Sequence, residues 1–338
     1  MKLILHEYDL KLKHRFSIAH DSRDIQKSLI LELRDGQFSG FGEATASKYY
    51  GYSIEEMRAI LEVNREQIES YQYQSPEEFW VDMSTEMSVN SFAQSALDVA
   101  VNDLYAKSKG VSLSKLWGEE NSHNLVSNYT IGIDTIEKMA QKLEEFPWPS
   151  YKIKLGTKED IAIIKELRKL TDAKFRVDAN CGWGVKETLI NAREMIGLGV
   201  EFIEQPLVAD DWLGMKTLYE KSPLPIIADE SIVGEGDIER CYGFFHGVNI
   251  KLMKCGGLTP ARRMISKAKS YGMKVMVGCM TESSVGISAI AQLLPLLDYV
   301  DMDGFLLLES EIADGVRLAN NTIVVPDSAG IGVSSLIS

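Results

Sequence analysis

The hydrophobic rhythm of the chain changes once, near residue 121. Before that point, residues 3–12, 28–34 and 38–44 read as β-strands, and Asp35-Gly36 is a hairpin turn joining the last two. Three helices follow. Ser53-Ile54-Glu55-Glu56 is a capping box, and Ser75-Pro76-Glu77-Glu78 is a second one with proline at the first helical position. Phe92, Ala93, Ala96, Leu97, Val101 and Leu104 recur at helical spacing. A run of strands and then a run of helices predicts an α+β domain over residues 1–121.

After residue 121, short apolar runs alternate with helical stretches. The runs are 125–131, 151–155, 175–178, 202–204, 226–229, 248–251, 274–278 and 299–303, and helices such as 157–170 and 259–271 fit between them. Eight β-then-α units predict a modified (β/α)₈ TIM-type barrel over residues 122–309. Residues 310–338 carry no helical period and are expected to return to the first domain, completing an α+β capping domain. The rival is a doubly wound sheet, which carries a glycine-rich phosphate loop after its first strand; none stands there.

Composition narrows the function. The 338 residues are 45% hydrophobic and 25% charged, which is ordinary globular usage. Lys and Arg number 36 against 49 Asp and Glu, a net charge of −13. A chain this acidic lacks the electrostatic footprint of a nucleic-acid or anionic-membrane binder. The longest apolar stretch, 285–297, contains Ser288, Gln292 and Pro295 and falls short of the roughly 20 residues a bilayer span needs. The first residues, Met1-Lys2-Leu3-Ile4-Leu5-His6-Glu7, turn polar too soon for a signal peptide, so a cytoplasmic protein is expected. No pair among Cys181, Cys241, Cys255 and Cys279 has CxxC spacing, and the five histidines form no HxxxH pair. An ion in this protein would be held by carboxylates, which favours Mg²⁺ or Mn²⁺.

The predicted barrel strands close on Lys154, Asp178, Glu204, Asp229, Lys251 and Asp303. Barrel enzymes place reacting groups at the carboxyl ends of strands. Six ionisable strand ends need compensation, and a divalent cation is the simplest source of it. Side chains alternate along a strand, so Lys152 shares a face with Lys154, Asn249 with Lys251, and Asp301 with Asp303. Asp178, Glu204 and Asp229 end three successive strands, which suits an octahedral Mg²⁺ with positions left for substrate oxygens. Singly, each carboxylate fits a helix cap or an arginine partner equally well; the three together, in register with the lysines, argue for the ion. Lys154 and Lys251 flank it as a candidate pair of proton carriers. Burial, the like charge of Lys152 and a nearby ion all favour a neutral amine. Lys254 has the opposite parity to Lys251 and reads as lying beyond the strand end, not as the base.

The set Lys152-x-Lys154, Asp178, Glu204, Asp229 and Lys251 resembles the enolase superfamily in its muconate-lactonising subgroup. The resemblance spans essentially the whole chain: a capping domain that includes Gly40-Phe41-Gly42-Glu43, then the modified barrel. A mandelate-type member would carry a catalytic histidine on a late strand, and none of the five histidines stands there. The resemblance implies Mg²⁺ held by Asp178, Glu204 and Asp229, with a substrate carboxylate on the ion. One lysine would remove the proton α to that carboxylate, and the opposite lysine would return one to the stabilised enediolate. Lys154 and Lys251 are implied to approach from opposite faces, which permits inversion at carbon.

Asp301-Met302-Asp303 resembles the motif by which dipeptide epimerases meet the α-ammonium of their substrate. Independently of that, two inward carboxylates away from the ion make a cation site complementary to NH₃⁺. A solvated Asp pair in a loop is the alternative. The same resemblance places Thr130, Lys152 and Cys279 along the pocket, although Cys279 also fits a plain core thiol. The implied enzyme is an isomerase that epimerises the C-terminal residue of a small dipeptide, in cell-wall peptide turnover, with a homo-oligomer left open. Side-chain preference falls to the loops 16–24 and 47–52. Members acting on Ala-Glu use an arginine in the first loop; here Asp21 and Asp24 bracket Arg23, which favours small neutral dipeptides such as Ala-Ala or Ala-Val over Ala-Glu. An o-succinylbenzoate synthase or a cycloisomerase of the subgroup would need no ammonium site. A non-catalytic metal-binding barrel would need no lysine pair.

Overall fold

The computed structural model describes every residue except 19–20, 73, 120–124 and 338. The expected domain boundary between 121 and 122 therefore lies outside the described residues, as do Ala19, His20 and His123. The chain opens with strands β1 (Lys2–Ile18), β2 (Asp21–Asp35) and β3 (Phe38–Thr45), an antiparallel sheet in sequence order. Gly36 takes a positive φ of 56° in the turn between β2 and β3. The first two strands run longer than their hydrophobic pattern predicts. The β1–β2 ladder breaks between Lys11 and Phe16 and then resumes, with Phe16 opposite Arg23 and Ile18 opposite Asp21. Of residues 16–24, expected as a loop, 16–18 and 21–24 thus belong to the paired strands β1 and β2. Backbone pairing past an irregularity carries no side-chain period, so a polar run such as Lys13-His14-Arg15 reads as a strand end.

Helices α1 (Ile54–Val63), α2 (Arg65–Ser70), α3 (Pro76–Met87), α4 (Ser91–Lys109) and α5 (Leu113–Leu116) follow. Ser53 and Glu56 form both halves of a capping box. At α3 only one half matches the expectation. Ser75 accepts from the Glu78 amide, while the Glu78 carboxylate reaches past Ser75 to accept from the Gln74 amide at 2.8 Å. Helix α4 is buried along most of its length and lies across β3. The approach is close enough that a Cβ on Gly42 would sit 1.9 Å from the Ala96 carbonyl oxygen. Glycine there is a packing requirement.

The second unit is a parallel eight-stranded sheet in sequence order: β4 (Tyr129–Ile131), β5 (Ser150–Lys154), β6 (Lys174–Asp178), β7 (Val200–Glu204), β8 (Ile226–Ala228), β9 (Gly247–Lys251), β10 (Lys274–Gly278) and β11 (Tyr299–Asp301). Between them run α6 (Ile136–Glu145), α7 (Asp160–Arg168), α8 (Val185–Ile196), α9 (Trp212–Lys221), α10 (Asp237–Cys241), α11 (Leu252–Cys255), α12 (Leu258–Ser270) and α13 (Ser284–Ala291). β11 is followed by a 3₁₀ turn, Gly304–Leu307, where a regular barrel would carry an eighth helix. The barrel is nearly closed. Its seam between β4 and β11 is bridged by side chains: the Met302 amide donates to Ser127 Oγ at 2.9 Å, and the Thr130 amide to Asp303 Oδ2 at 2.5 Å. Phe202, Ile227 and Met276, with Tyr299, fill the amino-terminal end of the interior. The apolar stretch 285–297 falls on buried α13 and the turn after it. No described helix is long and apolar enough to cross a membrane.

Two carboxylates of the first unit cap helices of the second. Asp98 on α4 accepts from the Thr259 amide at 2.9 Å, at the start of α12, where Gly257 offers no side-chain cap. Glu43 on β3 accepts from the Ser283 and Gly286 amides at the start of α13. The tail returns to α4, where the Ile331 amide donates to Asp103 Oδ1 at 2.8 Å. A short hairpin, β12 (Arg317–Ala319) and β13 (Thr322–Val324), precedes that contact.

Two stability predictions follow from this packing. Gly42→Ala should lower unfolding stability by about 1–3 kcal/mol in a denaturant titration, because the backbone of α4 cannot yield as a side chain would. Burial raises the Asp98 carboxyl to about 7 against the hydrogen bonds from Thr259. A raised carboxyl stabilises the fold while protonated and loses that contribution as pH rises from about 4 through about 7. The stability of the protein relative to its Asp98→Asn variant should therefore fall across that window, and equal curves for the two would refute the assignment.

Candidate active site

The carboxyl ends of the strands supply the site. Asp178 and Glu204 are the last residues of β6 and β7, and Asp229 directly follows β8. Their ligating oxygens lie within 4.8 Å of one another, and all three side chains are buried. Local backbone aims them. Asn180, Cys181 and Gln205 hold positive φ values of 43°, 65° and 34° where the chain turns out of the barrel. Gln205 then ties two strand ends together, because its Oε1 accepts from the amides of Asp229 and Ser231 at 2.9 and 3.1 Å.

Lysines surround this triad. Lys154 Nζ donates to Asp178 Oδ2 at 2.6 Å, and Lys251 Nζ donates to Asp229 Oδ2 at 2.7 Å. Lys152 lies one layer deeper. It donates to Glu204 Oε1 at 3.0 Å and Asp301 Oδ2 at 2.9 Å, and stands 3.1 Å from Asp178 Oδ2. Ile153, between the two lysines, faces the helices and is fully buried there. Lys254 sits off the strand on α11, where it donates to the Asp229 carbonyl and to Oδ1, both at 2.6 Å.

Electrostatics sort these groups. Burial opposes the charge on Lys152 and Lys251, yet their carboxylate partners hold both ammonium groups well above the usual lysine range. Asp178 and Asp229 are correspondingly held below the usual range in spite of burial. Glu204 is the group that yields: burial and the charge of Asp178 push it up to about 8. The neutral-amine expectation for the flanking lysines is therefore not the state of Lys251 while Asp229 is its partner. The donor set of three buried carboxylates, one of them starved of positive charge, fits a hard divalent cation.

The other side of the same cavity carries the second acidic group. Asp301 ends β11, and Asp303 lies two residues beyond, past the strand but still lining the cavity with Thr130, Lys152 and Cys279. Burial works against Asp301, but Lys152 holds it down at about 2. Asp303 is raised to about 7 by burial and by Asp301. Its Oδ1 meets the Cys279 thiol at 3.9 Å, and the Thr130 hydroxyl bonds the same carboxylate. Above the cavity stand the hairpin residues Asp21 and Arg23 and the loop at Tyr49 and Tyr50.

Several lining groups carry no role in the sequence reading. Asn180 and Glu230 face the cavity, joined by a 3.1 Å hydrogen bond. Burial and Asp229 raise Glu230 to about 7. Parity offers a signal for Asn180, two residues after Asp178. Asn128 and Arg176 lie in the barrel interior below the acidic pair, and a neutral amide on the first strand gives no such signal.

Family models match both units. The mandelate racemase / muconate lactonizing enzyme N-terminal domain matches residues 2–118, and the enolase C-terminal domain-like model matches residues 134–335. The L-Ala-D/L-amino acid epimerase of Flavobacterium johnsoniae is 55% identical over 336 residues, covering 99% of this chain and 100% of that protein. Among solved structures, a substrate-liganded L-Ala-D/L-Glu epimerase from Bacillus subtilis is similar over 100% of both chains, with a TM-score of 0.94 and 28% identity. A dipeptide epimerase from Enterococcus faecalis, complexed with Mg and L-Leu-L-Tyr, is similar over 99% of both chains, with a TM-score of 0.91 and 27% identity.

A cation entering the triad must displace the proton that Glu204 holds below about pH 8. Added Mg²⁺ should therefore raise the melting temperature more at pH 8.5 than at pH 6.5, and Glu204→Gln should abolish most of that gain. A gain independent of pH would refute this account.

Proposed function

The chain belongs to the enolase superfamily, in its mandelate racemase / muconate lactonizing enzyme branch, and from that premise we propose that it is a Mg²⁺-dependent dipeptide epimerase. In this reading Lys154 and Lys251 invert the α-carbon of the C-terminal residue by proton transfer. One observation carries it. Lys154 on β5 and Lys251 on β9 are four strands apart in a ring of eight, so they face each other across the cavity. The carboxylate triad occupies the arc between them on β6, β7 and β8. Asp301, Asp303, Cys279 and Thr130 occupy the opposite arc on β10, β11 and β4. A ligand with a carboxylate at one end and an ammonium at the other spans those arcs, and the carbon next to its carboxylate falls between the lysines.

The roles follow from the partners. Asp178, Glu204 and Asp229 hold the ion. Bound there, Mg²⁺ (or Mn²⁺) supplies the positive charge that acidifies the α-proton and steadies the enediolate as it develops. Lys154 and Lys251 now rest on two of those same carboxylates. Engaging the carboxylates elsewhere removes the attraction that keeps the Lys251 amine charged, and frees it to take a proton. The opposite lysine, still an ammonium, donates to the other face. Lys152 stands beside the triad to meet the substrate carboxylate. Asp301 and Asp303 receive the ammonium, and Thr130 and Cys279 complete that wall.

Substrate preference rests on the hairpin. Arg23 Nη1 donates to Gln26 at 2.5 Å and lies 3.8 Å from Asp21, while Lys48 lies 4.0 Å from the other Asp21 oxygen. An acidic substrate side chain would have to meet Asp21 at the same place. This supports small neutral dipeptides, Ala-Ala or Ala-Val, ahead of Ala-Glu. The name of the Flavobacterium relative, an L-Ala-D/L-amino acid epimerase, supports the same breadth.

Incubation of a dipeptide library in D₂O with Mg²⁺ tests the assignment by mass shift and stereochemistry. Deuterium should appear at the α-carbon of the C-terminal residue, with inversion. Lys154→Ala and Lys251→Ala should each lower turnover by about 10²–10⁴-fold. A library that acquires no deuterium, or exchange that survives loss of both lysines, would overturn the reading.

A further inference from the structure

Below the acidic pair lies a row of buried polar side chains that the chemistry above does not use. Arg176 on β6 projects into the barrel, with its guanidinium within 5.6 Å of the Phe202 ring and 5.1 Å of the Tyr299 ring. Its Nε donates to Glu201 at 3.0 Å, and its Nη1 donates to the Val300 carbonyl at 3.2 Å and to Asn128 Oδ1 at 3.1 Å. Arginine has donors only, so the Asn128 atom facing it is the carbonyl oxygen. That fixes the amide the other way round on its far side. Asn128 Nδ2 donates to Asp301 Oδ1 at 2.7 Å. Asn128 is completely buried, so no water competes for either end.

Asp301 is therefore gripped twice, by Asn128 on Oδ1 and by Lys152 on Oδ2. Asp303 is held by a neutral neighbour instead: its Oδ2 accepts from the Thr130 amide, the Thr130 hydroxyl also bonds the carboxylate, and its Oδ1 meets the Cys279 thiol at 3.9 Å. The two carboxylates of the motif are unequal, and Arg176 and Asn128 make them so.

We propose that Asn128, locked by Arg176, is a positioning residue for recognition of the substrate's α-amino group: it fixes Asp301 in place for the ammonium that Asp301 and Asp303 receive together. The proposal rests on the dipeptide reading above. It also gives the strand seam a use, because the bridge from β4 to β11 runs through the residues that read the amino end of the ligand. Side-chain amides that are fully satisfied and buried set geometry with little freedom to relax.

The test compares an alanyl dipeptide with its des-amino analogue, in which a propanoyl group replaces the alanyl residue, by α-proton exchange in D₂O. Two variants are needed. Asn128→Ala removes both contacts. Asn128→Asp keeps an oxygen for Arg176 but has no donor for Asp301. In both, the preference in kcat/KM for the dipeptide over the analogue should fall about tenfold or more, mainly through KM, while the analogue's own kcat/KM holds within about twofold. A wild-type preference in Asn128→Asp would mean that Asn128 serves only Arg176, and equal losses on both substrates would mean a purely structural role; either overturns the proposal. If both variants fail to fold, the wild-type structure with bound dipeptide decides. Asp301 must keep its bond to Asn128, and its release toward the ammonium would refute the inference. A wild type inert toward every dipeptide would instead sink the dipeptide reading, and this proposal with it.

Discussion

Three carboxylates buried within 4.8 Å of one another are the constraint around which the barrel is arranged. At that separation each pair repels by roughly 3 kcal/mol, even at an effective dielectric of about 20. No fold tolerates this without positive charge close by. The chain supplies four lysines, each on a residue of the triad or bridging it, and Glu204 still keeps its proton to about pH 8. A constellation so expensive to maintain makes sense only if a stronger, more compact charge takes the place of the lysines during function. On the proposed function, Lys154 and Lys251, which balance the triad here, would be the groups released to act.

Strand order turns that balance into direction. Parallel strands in sequence order place neighbours side by side, so residues far apart in the chain take fixed angular positions around one axis. The triad fills one arc, the acidic pair the other, and the two candidate bases the diameter between. This is why a list of strand-end residues carries so much information. Alternation decides which side chains enter the barrel, and order decides where on the ring they stand. Lys152, Lys154, Asp178, Glu204, Asp229 and Lys251 are legible on those two rules alone. Alternation also carries Asp301 on to Asp303, although Asp303 stands beyond the end of β11. It is silent on Glu230, which lines the cavity from the residue after Asp229. The pairing of residues 16–18 with 21–23 is invisible for a different reason: a backbone ladder holds it, and the side chains alternate too weakly to show it. Asn128 escapes because its importance lies in which way its amide faces, and only the position of Arg176 settles that.

The contacts of the capping unit with the barrel are those of a buried interface. Asp98 and Glu43 satisfy backbone amides at the starts of α12 and α13, the helices that follow the strands bearing Lys251 and Cys279. A helix start without its cap leaves donors unsatisfied, so the barrel depends on the capping unit for ordinary hydrogen bonding. Gly257 marks how close that contact is, since a Cβ there would strike Asp98.

The amino end of the site shows how a recognition motif becomes more than two charges. Two free aspartates side by side would repel, share a proton and attract any cation, including a metal. Cys279, Asp301 and Asp303 do form a group compact enough to ligate one. Committing Asp301 to Lys152 and Asn128 changes the problem. Lys152 holds the Asp301 carboxyl down, while burial and the charge of Asp301 raise Asp303. A lysine that touches Glu204 and Asp301 at once also links the two ends of the cavity through a single charged nitrogen. Anything that draws Lys152 toward the triad weakens its hold on Asp301, and a positive group arriving at the acidic pair restores the balance. On the proposed function, the two ends of a dipeptide would meet one electrostatic network rather than two independent sites, because Lys152 bonds Glu204 and Asp301 at once.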